Sequence, residues 1–224
     1  MRAFSPEEHK LVSDAVAAAE RASDGEIVTI VAPRSDSYHD VGLHYAVLAM
    51  LLVPTIWAAL PQSWLDWATA LFLDWNESLS PRLLLILLFV KMTVVFLIVR
   101  FALAYMPLRM ALTPSGTKTR RVRRRAIETF KAAAEHRTEG RTGVLLYLSL
   151  LERRAEIVAD EAIHSKVEPE VWGEAMAVLI ERVRAGQVAQ GMALAVEKIG
   201  VVVAQCAPPT GLNPNELPDR LIEL

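Results

Sequence analysis

Asp160, Glu161 and His164 place two carboxylates and an imidazole within the single turn-length stretch ADEAIHS. Carboxylate oxygens and neutral imidazole suit a divalent cation such as Ca²⁺, Mg²⁺ or Zn²⁺. Glu26 and His136, with Asp24, Glu139 and Arg141, stand at or just ahead of strand-like runs, so they are expected at the same sheet edge. Crowded carboxylates repel one another, and a cation relieves that repulsion. No ligand spacing here is diagnostic. A solvated turn paired with Arg137, Arg141 and Lys166 is the plainer alternative.

A second cluster is the loop RSDSYHD, residues 34–40, taken with Ser149, Glu152, Arg153 and Arg154. Ligands of open α/β sheets gather beyond the carboxyl ends of parallel strands, which is where this group falls. Asp36 has the chemistry of a nucleophile or metal ligand, and Arg153 or Arg154 that of a phosphate holder. Nothing nearby matches a P-loop, a Gly-x-Gly-x-x-Gly fingerprint or a Cys-x5-Arg phosphatase loop. A linker between a soluble domain and a membrane accounts for the loop more simply.

Charge supplies the remaining candidates. Between 118 and 131, Lys118, Arg120, Arg121, Arg123, Arg124, Arg125 and Lys131 face only Glu128. Such a cluster attracts anionic lipid headgroups at about 1 kcal/mol per residue near the surface. Nucleic-acid binding needs stacking aromatics among the basic residues; only Phe130 is near, so no nucleic acid is expected. Lys91 lies inside an apolar run without an acidic partner. A charge there is expensive and marks a functional position by default. The expectation is contact with another membrane protein or a second copy, or a side chain that snorkels outward. Trp172, Met176 and Met192 sit at helical spacing on apolar faces and read as core.

These residues need a scaffold, and the chain's 224 residues, 53% hydrophobic with mean hydropathy +0.28, suit a small integral membrane protein. The runs 43–60 and 83–106 each approach the roughly 20 residues needed to cross a hydrocarbon core. About 40 patterned polar residues precede the first run, which is not the layout of a signal peptide. The two runs form a hairpin, so the flanking sequence folds on one side of the bilayer. The basic cluster places that side in the cytoplasm, with both termini, and the acidic loop holding Asp66, Asp74 and Glu77 outside. Trp57, Trp64, Trp67 and Trp75 bracket the loop, which reads as an interfacial helix over 61–78. The expected location is a bacterial inner membrane. Two spans carrying one charge do not enclose a transport pathway by themselves. The single Cys206 excludes an internal disulfide framework.

Ser5, Pro6 and Glu8 open a helix over 5–22 with a capping box, its apolar face made by Leu11, Val12, Ala15, Val16 and Ala19. Glu26–Ala32 is a β-branched strand. After a turn at 113–116, a helix is expected over 121–136, then strands Gly143–Ser149 and Arg154–Ala159 joined by a hairpin at 150–153. A helix from Pro169 to the Gly186 stop and another over 187–205 follow, with Val171 and Val183 facing inward. The tail 207–224 is Pro-rich, with a short helix at 218–223. The first two strands, linked through a helix, call for a right-handed parallel crossover. The fold class is a small three-layer α/β/α sandwich with a mixed sheet, interrupted by a two-helix transmembrane hairpin. Residues 1–42 and 113–206 form its halves, 43–112 the hairpin and 207–224 the tail.

The stretch TGVLLYLSLLERRAEIVADEAIHSKVEPEVW, followed by ERVRAGQVAQGMALAVEKIG, resembles the TPM-domain family, as does SDGEIVTIVAPRSDSY at its first strand. The resemblance implies a small α/β/α sandwich, in line with the order above. Some members of that family are described as acid phosphatases, others assist photosystem repair or modulate a membrane receptor, and divalent-ion binding occurs among them. Their commonest layout is an exported domain, whereas the spans here are internal. The functional expectation is a membrane-anchored accessory or regulatory protein whose TPM-like domain assists membrane partners. A divalent-ion-dependent phosphatase-like hydrolase is the alternative.

Overall fold

The computed structural model describes residues 4–61, 63–64, 80–133, 142–210 and 217–224. The interfacial helix expected over 61–78, and His136, Glu139 and Arg141, fall largely or wholly outside them. The chain divides into two compact units, one of Met1–Asp36 with Ser115–Leu224 and one of Ser37–Pro114.

In the first unit, α1 (Pro6–Glu20) begins with the expected capping box: Ser5 Oγ accepts from the Glu8 N–H and the Glu8 carboxylate accepts from the Ser5 N–H at 2.7 Å. Val12, Ala15, Val16 and Ala19 are buried, whereas Leu11 is exposed, the apolar face being narrower than its periodicity suggested. β1 (Glu26–Ala32) and β2 (Gly143–Ser149) are buried at every position, because helices cover both faces and each residue meets protein on either side. They pair in parallel and in register, Glu26 opposite Gly143 through Ala32 opposite Ser149, across the intervening unit. β3 (Arg154–Ala159) runs antiparallel to β2.

α5 (Ser115–Ala133) starts earlier than sequence patterning predicts. The turn-like Pro114-Ser115-Gly116 is a helix entry: proline ahead of the first turn loses no hydrogen bond there. Beyond β3 come α6 (Glu161–His164), a 3₁₀ turn at Pro169–Trp172, α7 (Gly173–Arg184) and α8 (Val188–Cys206). Gly186, at φ +77°, permits the sharp return between α7 and α8. Val171 is exposed, since it lies in the 3₁₀ turn and leaves the helical register of Trp172, Ala175 and Leu179. One core packs α1, α7 and α8 on one sheet face through Val16, Leu146, Leu179, Met192 and Ile199; the other packs Val122, Ala126 and Phe130 of α5 on Ile30, Leu145 and Tyr147.

The tail corrects the expectation of a helix at 218–223. Ile222–Glu223 is a strand, β4, that pairs in parallel with β1, and the Leu224 N–H donates to Val31 O at 3.1 Å. The sheet order is β3-β2-β1-β4. Leu217 and Leu221 are buried, so residues 217–224 belong to the fold rather than running over its surface. A free β1 edge and two buried leucines outweigh the helix propensity of a six-residue segment.

A Cβ added at Gly200 of α8 would lie 2.6 Å from Ala19 Cβ and 3.3 Å from Ala19 Cα. Neither atom can rotate away. Gly200→Ala is therefore expected to destabilise the fold by about 1–2 kcal/mol, overpacking exceeding the gain in helix propensity of about 1 kcal/mol. Thermal melting checks this, and an unchanged or higher midpoint would refute the close α1–α8 contact.

In the second unit, α2 (His39–Ala59) and α3 (Pro81–Ala102) pack on each other. Both are long and apolar enough to cross a membrane, with hydropathies of 1.8 and 2.6; α8 also qualifies at 1.3, but half of that helix is buried in the sheet's core. α3 buries none of its residues, leaving Leu85, Phe89, Ile98 and Phe101 exposed. The second apolar run ends at Ala102 rather than 106, because Pro107 has no N–H to donate and its ring opposes the carbonyl four residues earlier. A separate helix, α4 (Met106–Leu112), follows.

Candidate functional site

The carboxyl ends of β1 and β2 lie side by side, and two more hydrogen bonds extend their pairing into the loops, from Leu150 N–H to Ala32 O and from Leu151 N–H to Pro33 O, each 3.0 Å. Glu152 knots these loops together. Its carboxylate accepts from the Ser35 N–H at 3.0 Å and from the Ser149 hydroxyl. The Ser35 and Tyr147 hydroxyls lie 3.2 Å apart. Burial pushes the Tyr147 phenol above its usual range, the Ser35 bond and the Arg125 guanidinium opposing that rise. Asp36 is paired with Arg121, which pins the exit from β1 to the first turns of α5.

Beside this knot runs a trough of ≈810 Å³ between α5 and α7, with β3 along its floor. Thr119 stands on one wall and Met176, Ile180 and Val183 on the other, while Arg153, Arg154 and Arg184 supply positive charge. Arg154 Nε is buried and makes no hydrogen bond among the described residues. Arg153 holds φ at +50°, a conformation that costs an arginine where a glycine would adopt it freely, and such strain collects at functional sites. Glu156 also lines the trough; burial raises its pKa, and Arg123 and Arg154 oppose the rise.

The opposite edge holds the acidic residues picked out from sequence. Asp160 is buried, and its Oδ2 accepts from the Gly143 N–H at 3.1 Å. Glu26 is buried with Oε2 accepting from the Leu217 N–H at 3.1 Å. Glu161 and His164 are exposed on α6, and His136 is outside the described residues. Among the described residues no three His, Cys, Asp or Glu side chains gather as a metal-ligand set. Glu26 and Asp160 accept backbone N–H groups at the sheet's edge, so these oxygens close the fold.

Sequence reading missed a carboxylate cluster at that edge. Glu20 Oε1 accepts from the Ile27 N–H at 2.8 Å, taking the place of a ladder partner where β4 is too short to reach. Burial pushes Glu20 up to about 8, the Ile27 bond opposing, with Glu26 and Asp219 adding repulsion and Asp219 a shared hydrogen bond. The only sequence signal was a glutamate in the last helical turn just before a strand.

The basic residues 120–125 spread around α5 rather than forming one face. Arg121 meets Asp36, Arg124 and Arg125 meet Glu128, Arg120 reaches Thr117, and Arg123 lies near Glu156. Lys91 Nζ sits 3.4 Å from the centroid of the Trp57 ring, an internal partner that the absence of acids on its own helix did not suggest.

Residues 106–202 match the model of the TPM domain. No curated protein matches the chain. Among solved structures, the NMR structure of BA42 protein from the psychrophilic bacterium Bizionia argentinensis is similar, with a TM-score of 0.56 at 16% identity, covering 100% of this chain and 97% of that one. That likeness is one of fold.

Proposed function

We propose that this chain, which matches the TPM domain at residues 106–202 and folds around a mixed four-stranded sheet, is a membrane-anchored accessory protein that docks membrane protein partners. The observation that carries this reading is the arginine-lined trough beside β3. It is concave and mixes apolar walls with a few charged groups, as binding clefts do, and its volume falls in the roughly 300–1,000 Å³ range of such sites. The apolar surface of α2 and α3 supplies the anchor, and anionic headgroups meet the basic residues of α5. Lys91, paired with Trp57, offers a cation to a neighbouring span or a second copy. We place the TPM domain and both termini in the cytoplasm of a bacterial cell, beneath the inner membrane. In a Cys206→Ser background, an impermeant maleimide applied to intact cells then modifies Ser63→Cys and not Ser115→Cys. Labelling at 115 alone reverses the orientation.

The docking reading predicts that a defined membrane protein crosslinks to the wild-type chain and is lost on Arg153→Glu with Arg154→Glu. Equal crosslinking by the charge-reversed chain would sink it. The hydrolase reading, with or without a divalent cation at Asp160, Glu161, His164, Glu26 and His136, draws support from the Ser149–Glu152 contact, a hydroxyl beside a carboxylate. Both groups are buried, however. Hydrolysis of para-nitrophenyl phosphate that needs Ca²⁺, Mg²⁺ or Zn²⁺ and vanishes in Ser149→Ala would favour it over docking.

A further inference from the structure

We infer that the trough takes the C-terminal segment of a partner protein, added as a strand along β3 with its terminal carboxylate on Arg154. This rests on the docking reading above and names the chemistry of the occupant.

The backbone supplies the first argument. β3 ends the sheet on one side. The Asp160 N–H donates to Gly143 O at 2.8 Å, so residues 143 and 160 face each other across the ladder. Antiparallel pairing alternates, and residues 154, 156 and 158 therefore turn their N–H and C=O groups toward β2. Ala155, Ile157 and Ala159 turn theirs outward, and Ala155 does so at the trough. A row of outward backbone groups rewards an extended peptide and offers nothing comparable to a lipid headgroup.

The second argument is charge. Arg154 brings a buried Nε–H without a hydrogen-bond partner among the described residues, and a planar guanidinium presents that N–H together with a neighbouring one as a fork matched to a carboxylate. Arg153 and Arg184 stand in the same trough. Glu156 shares it and repels a phosphate or a run of acidic residues more than a single carboxylate. Glu152 does not offset the arginines freely, because Ser35 and Ser149 occupy its oxygens. The third argument is the apolar wall of Met176, Ile180 and Val183, which suits the branched side chains of a strand.

The test uses the full chain in nanodiscs of neutral lipid and a library of fluorescent hexapeptides built from Val, Ile and Thr. One half carries free C-terminal carboxylates and the other C-terminal amides. The free acids are expected to bind and the amides to bind about tenfold or more weakly. Arg154→Met should bring the free acids down to the level of the amides, with its melting temperature showing that it is folded. Arg184→Met, at the exposed end of α7, should weaken the free acids by a smaller factor. Equal binding of acids and amides, no binding of either, or an Arg154→Met chain that binds like wild type overturns the inference. So does displacement of bound peptide by vesicles containing phosphatidylglycerol but not by neutral ones. Should the peptides fail while Arg153→Glu with Arg154→Glu still loses the crosslinked membrane protein, the docking reading stands and the C-terminal assignment falls. Failure of both experiments removes both.

Discussion

Arg109→Ala is expected to loosen the second unit by about 3 kcal/mol. The guanidinium is buried, and it donates to Leu103 O at 2.7 Å, Ser37 O at 2.5 Å and Ala104 O at 3.2 Å, with His39 Nδ1 at 3.3 Å. These acceptors come from the entry to α2 and the end of α3, so one side chain ties together the two places where the helical pair meets connecting backbone. Removing it leaves carbonyls buried without donors, each costing about 1–3 kcal/mol before water or local rearrangement compensates. Arg109→Lys should recover only part of the loss, since a single ammonium cannot span the separated acceptors as a planar fork does. The measurement is limited proteolysis in nanodiscs, with cleavage near residues 37 and 104 expected to rise in the order wild type, Lys, Ala. Equal protection in all three would show that the clasp contributes nothing.

Stability of the first unit should fall as pH rises from about 4.5 to about 8, and Glu20→Gln should flatten that slope. The folded chain holds Glu20 protonated up to about 8, while the unfolded chain releases that proton near the ordinary glutamate value of 4.5. Between those values unfolding releases a proton, so increasing pH favours the unfolded state; the stabilisation is complete below the lower value and gone above the upper one. Because Glu20 keeps partial contact with solvent, the expected loss across the window is about 2 kcal/mol, well below the full linkage value. A glutamine retains the acceptor for the Ile27 N–H and turns an amide donor toward Asp219 without charge. Its melting temperature should exceed that of wild type at pH 8 and match it near pH 4.5. A variant with the wild-type pH profile would show that Glu20 is not the titrating group.

The elements that proved legible in sequence are those whose causes are local. Ser5, Pro6 and Glu8 encode the start of α1 within four residues, and the β-branched run Glu26–Ala32 and the segment Gly143–Ser149 became strands with the bounds read from sequence. The parallel pairing of those strands was legible too, because chirality leaves a strand–helix–strand crossover few alternatives. The apolar runs declared α2 and α3 by length and composition alone. The candidate site was less legible. Arg153 and Arg154 were visible as phosphate holders, but the trough they line exists only because α5 and α7 flank the outer edge of β3.

The amino-acid sequence by itself determined the α/β class, the order of the elements, the membrane-compatible helical pair and the TPM resemblance, since each depends on periodicity, capping or run length within a short window. Tertiary structure alone decided that residues 222–223 close the sheet beside β1, that Glu20 substitutes for a missing ladder partner of Ile27, that Arg109 collects carbonyls from the entry to α2 and the end of α3, and that Lys91 finds Trp57. All but the Glu20–Ile27 bond, which bridges the turn between α1 and β1, join residues far apart in the chain. Their energies come from satisfying buried or desolvated polar groups, and no local pattern records which distant group will be there to do it.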